Sequence, residues 1–127
     1  MKICRSLSVL AFAVASSSVA VAAPQSLELV SPSLQATEGS QVECRIVNLS
    51  ARDQPLILRA YNSDGGIVWE TTLMVASGRM LGIALPDFLG VQYCRFVLPG
   101  GRSAADFRAS INIFKFGFGI ISALPAY

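Results

Sequence analysis

The chain has no histidine. That absence excludes a Ser-His-Asp or Cys-His nucleophile system and any metal centre that needs imidazole. Net charge is also scarce: ten Lys and Arg against eight Asp and Glu leave +2, too small a surplus to imply nucleic acid as a partner. There are three cysteines and no C-x-x-C pair, so no redox motif is written in the chain. No apolar run is long enough to cross about 30 Å of hydrocarbon as a helix, and an integral membrane protein is not expected. No stretch of twelve or more residues has helical periodicity. At 127 residues the chain is long enough for one domain and too short for two ordinary ones.

What is present begins with a three-part N-terminus. Lys2 and Arg5 open it, an apolar run follows from Leu7 to Ala15, and small residues close it at Ala20-Val21-Ala22. This is the layout of a secretory signal peptide over residues 1–22, cleaved after Ala22. Cys4 leaves with it. So do Lys2 and Arg5, which leaves eight basic and eight acidic side chains and a neutral mature chain. An exported protein, periplasmic or secreted, is therefore expected. Its two remaining cysteines, Cys44 and Cys94, would form one intramolecular disulfide in an oxidising compartment.

The apolar pattern of the mature chain has period two. In 41–48, Val42, Cys44 and Ile46 alternate with Glu43 and Arg45, as on a half-buried strand. Similar segments fall at 26–30, 56–61, 67–75, 80–85, 91–98 and 106–114, separated by turn residues such as Asp64-Gly65, Ser77-Gly78 and Pro99-Gly100-Gly101. About seven short strands at this spacing predict an all-β fold, an immunoglobulin-like two-sheet antiparallel sandwich over residues 23–115. Both cysteines face inward, so their bridge would pin one sheet to the other. Two details depart from antibody domains. Trp69 lies far beyond Cys44, and Gln92 holds the corner position where those domains place a tyrosine.

Cys44-Arg45-Ile46-Val47-Asn48, the Asp64-Gly65 turn, Tyr93-Cys94-Arg95-Phe96 and Arg108-Ala109-Ser110 together resemble a group of small exported bacterial proteins with no established activity. The resemblance covers about residues 40–114. It implies a bacterial, exported, single-domain β-sandwich and transfers no functional residue.

The chemistry-bearing side chains mostly have plain structural explanations. Asp53, Asp64, Asp87 and Asp106 sit in or beside turns, where Asp caps backbone amides. Glu38 and Glu43 are the remaining candidates for a carboxylate pair of the kind a glycosidase uses. Asn62-Ser63-Asp64 starts like a calcium loop but lacks its later ligands. Asn48-Leu49-Ser50 fits the glycosylation pattern, and Lys115 reads as a solvated residue. Trp69 shares the more apolar face of its strand and is expected in the core. Tyr61 and Tyr93 fall on outward faces and are the candidate binding surface. Residues 116–127 carry no charged side chain and form an apolar tail. Such a tail could add a strand to a second copy of the protein, or extend its own domain as an edge strand.

These residues predict a non-catalytic binding or structural module with no cofactor, no metal and no catalytic residue. Its partner would be a protein or a glycan. The alternatives are a carbohydrate-binding module using Tyr61 and Tyr93, or a small carboxylate hydrolase.

Overall fold

The computed structural model describes residues 22–23 and 25–127. The expected signal peptide lies, except for Ala22, outside the described residues. The fold is all-β, as the period-two pattern implies, with eight strands among the described residues: β1 (Leu27–Val30), β2 (Ser40–Asn48), β3 (Gln54–Tyr61), β4 (Ile67–Val75), β5 (Met80–Pro86), β6 (Tyr93–Leu98), β7 (Phe107–Lys115) and β8 (Gly119–Pro125). Seven fall where alternation places them. The expected strand at 91–98 starts two residues late, because a 3-10 turn at Asp87–Leu89 and Gly90, with φ +65°, delay the entry to β6.

The strands form two four-stranded sheets. Sheet A has the order β1-β6-β3-β4 and sheet B the order β5-β2-β7-β8, with every pairing antiparallel. The inward residues of each strand interlock between them. Val42, Cys44 and Ile46 of β2, with Ala109 and Ile111 of β7, face Leu56, Leu58, Cys94 and Phe96 of sheet A in one core. Cys44 and Cys94 are bonded across it, so the bridge joins a central strand of one sheet to a central strand of the other.

The β3–β4 hairpin shows how local chemistry sets a turn. Gly65 adopts φ +77°, as the Asp-Gly pair leads one to expect. The side chain that closes the turn belongs to Asn62, whose Oδ1 accepts from the amides of Asp64 and Gly66 at 3.1 and 2.8 Å.

The eighth strand comes from the apolar tail. Gly117 and Gly119, both at positive φ, turn the chain back so that β8 runs along β7. Beyond β8 the Ala126 amide still donates to Ala109 O of β7, and the chain then crosses to the other sheet, where Tyr127 and Val30 exchange backbone hydrogen bonds at 2.7 and 3.1 Å. The tail is thus an edge strand of its own domain whose end fastens sheet B to β1 of sheet A.

Candidate functional site

The candidate tyrosines lie on the outer face of sheet A, where β3 and β6 run side by side. Their register sets Tyr61 opposite Tyr93, Arg59 opposite Arg95 and Ile57 opposite Val97. The tyrosine rings stack with centroids 4.7 Å apart and planes 3° from parallel. The Arg95 guanidinium carbon sits 5.3 Å from the Tyr61 ring centre, within cation–π range.

The outward direction of both tyrosines follows from alternation, but exposure does not. Tyr61 retains only 7% of its surface. This corrects the expectation of an exposed Tyr61: Tyr93 and Arg95 cover it, so it acts as a floor and not as a contact. Tyr93 is half-buried and offers the accessible ring.

Two arginines directly opposite one another repel. The neighbouring strands compensate. On β4, Glu70 accepts a hydrogen bond from Arg59 Nε, and this bond raises the Arg59 pKa above its ordinary value, with the Glu70 charge adding to it. On β1, Glu28 lies 3.7 Å from Arg95 Nη1, an ion pair too long for a hydrogen bond. Arg95 Nε is buried and has no partner among the described residues. Arg59 is therefore engaged, whereas the Arg95 side chain sits over the Tyr61 ring with its hydrogen-bonding capacity largely unused.

The same alternation that placed Tyr61 and Tyr93 also places Arg59 and Arg95 two residues along the same strands and faces. The arginines were legible as neighbours of the tyrosines. What could not be read was the pairing of β3 with β6, which makes the four a cluster.

The other candidates separate in space. Glu43 lies on the outer face of sheet B, bonded to Arg45 at 2.7 Å and to Asn112 Nδ2 at 3.2 Å. Asp53 accepts from the Ser77 amide and Asp87 from the Gly39 amide. Asp53 and Asp87 thus tie distant loops together and do not cap their own turns, and in the turns of Asp64 and Asp106 the side-chain acceptors are Asn62 and Ser103. Trp69 packs half-buried against the core. Asn48 is fully buried, with its Nδ2 donating to the carbonyls of Arg52 and Val75, so the glycosylation pattern there is closed to an enzyme acting on the folded chain. Among the described residues, no group of three or more His, Cys, Asp or Glu could hold a metal ion, and no helix is long and apolar enough to cross a membrane.

Comparison with protein-family models, with curated proteins and with solved structures finds no match for the chain.

Proposed function

We propose that the protein is an exported, non-catalytic binding module of immunoglobulin-like architecture, and that its contact surface is the Tyr93–Arg95 row on the outer face of sheet A. One observation carries this. The Arg95 guanidinium sits over the Tyr61 ring of a stacked tyrosine pair, yet its side chain makes no hydrogen bond among the described residues. A planar guanidinium held in this way suits a carboxylate or another oxyanion that can take two parallel hydrogen bonds. The adjacent Tyr93 ring supplies an apolar face for the body of the ligand.

Several observations support the remaining parts. A disulfide between buried cysteines is the mark of an oxidising compartment and agrees with the signal-peptide layout of residues 1–22. The neighbours β2–β5 and β3–β6, bridged from β2 to β6, match the central pairs and inter-sheet disulfide of immunoglobulin-like domains. The sheet order departs from that scheme at three strands: β1 pairs with β6 and not with β2, β4 with β3 and not with β5, and β7 with β2 and not with β6. A catalytic carboxylate pair has little support, since Glu43, Asp53 and Asp87 are each committed to a structural contact. A neutral-sugar platform has less than it had from sequence, because Tyr61 is covered.

Binding of an acidic and of a neutral oligosaccharide to the mature chain, followed by calorimetry, tests the proposal. The acidic ligand is expected to bind, and Arg95→Ala to weaken it by about tenfold or more. Arg95→Lys is expected to restore little, because the planar fork is lost. Equal binding of both ligands, unaffected by Arg95→Ala, would refute it.

A further inference from the structure

The two ends of the sandwich are unlike. At one end stand the turn before β2, the β3–β4 hairpin, the Asp87–Leu89 turn and the β7–β8 hairpin; the register pairs Gln41 with Pro86 and Ser40 with Lys115. Three phenylalanines project there, all strongly exposed: Phe116 at 92%, Phe88 at 81% and Phe118 at 77%. Phe116 and Phe118 form the convex tip of the β7–β8 hairpin, where Phe118 N closes the turn on Lys115 O.

At the opposite end, a nine-residue strand and roughly 30 Å away, lies a concave apolar groove of about 470 Å³. Leu29, Ala104, Phe107, Pro125 and Tyr127 line it, with Arg108 as its one charged residue. Exposed apolar tips and apolar grooves of this kind mark interaction sites.

The side-chain charges divide along the same axis. The tip end carries Glu38, Asp64 and Asp87 against Lys115, a net of −2. The groove end carries Arg52, Arg79, Arg102 and Arg108 against Asp53 and Asp106, a net of +2. The three remaining acids, Glu28, Glu43 and Glu70, are each paired with an arginine between the ends. A neutral mature chain is therefore a charge dipole with an apolar knob on its negative end and an apolar hollow on its positive end.

From these features we infer that the protein associates head to tail with further copies of itself, the Phe116–Phe118 tip of one molecule seated in the Leu29–Phe107–Tyr127 groove of the next. The interface is heterologous, so the terminal molecules of an open assembly keep a free tip and a free groove to which further copies add. Two phenylalanines bury about 300–500 Å², less than one side of a standard interface. The association is therefore weak, reversible and dependent on protein concentration. The negative tip end also makes an anionic lipid surface a poor receptor for the same phenylalanines. None of this depends on the Arg95 proposal, which uses a different face.

Complementary variants test it by analytical ultracentrifugation of the mature chain. Phe116→Ser/Phe118→Ser removes the tip, and Ala104→Trp fills the groove. All three substitutions are at exposed positions, and circular dichroism checks that the fold is kept. Wild type is expected to pass from monomer to species larger than a dimer as concentration rises, and to do so less in high salt. Each variant alone is expected to remain monomeric. An equal mixture is expected to give a dimer and nothing larger, since one intact tip meets one intact groove. The inference is overturned if wild type stays monomeric, if it stops at a dimer that survives the Phe replacements (pairing of β8 edges), if the mixture stays monomeric, or if the phenylalanines serve only to bind phospholipid vesicles.

Discussion

Asn48 is the polar residue on which one end of the core depends. Its Nδ2 donates to two carbonyls, and its Oδ1 accepts from the amide and the hydroxyl of Ser50 at 2.9 and 2.7 Å. An amide buried in this way is stable only because every one of these bonds is made. Replacing it with Ala removes the donor to the buried Val75 carbonyl, a loss of about 1–3 kcal/mol, while Arg52 O keeps its bond from Ser50 Oγ at 2.9 Å. Asn48→Ala is expected to lower the unfolding free energy by about 1–3 kcal/mol, measured from the urea midpoint at unchanged slope. The sequence alone shows Asn48 only as the end of a strand and as part of a weak glycosylation pattern. Its role depends on Val75, 27 residues away, and no local pattern encodes that distance. Tyr61 repeats the point: alternation gives its side of the sheet, but its cover comes from Tyr93 and Arg95 on another strand.

Gly82 is explained by the strand beside it. It sits opposite Arg45 on the outer face of sheet B, where a β-carbon would come within 2.5 Å of Glu43 Oε1. Arg45 and Asn112 hold that carboxylate in place. Gly82→Ala is expected to destabilise by about 1–3 kcal/mol, the usual cost of overpacking. Most of that should return when Glu43→Ala is added, in a double-mutant cycle read by denaturation; additive losses would show that the contact is not the cause. At the other edge, removal of residues 116–127 is expected to cost at least about 2 kcal/mol, because Leu124 and Ala126 pack on the core. An unchanged melting temperature after that deletion would show that β8 is dispensable. Seven strands were legible from alternation and turn residues. The eighth was legible only as one of two readings, an edge strand of the same domain or a strand added to a second copy, because its turn places Phe116 and Phe118 where polar residues usually mark a reversal. The sheet to which each strand belongs was also hidden, since alternation gives faces and not neighbours; β7 beside β2 is the clearest case.

At the scale of the molecule, the Cys44–Cys94 bridge is the contact with the longest reach. It closes a loop of 50 residues between the sheets, for which chain entropy gives about 4 kcal/mol. Replacing both cysteines with Ser is expected to remove a similar amount, seen as a lower melting temperature in non-reducing buffer, and wild type in reducing buffer should approach the variant. The position of the bridge also fixes how far the molecule can be drawn out. Under tension between residues 25 and 127, the backbone hydrogen bonds joining Tyr127 to Val30 part first, and the edge strands then peel from their sheets. Everything between Cys44 and Cys94 stays inside a covalent ring that carries no load. The extended length reaches roughly half of what the same residues would span without the bond. The second half of β2, all of β3–β5 and the start of β6 remain shielded from the pull, and a stretched molecule keeps a knot of its own core from which to refold.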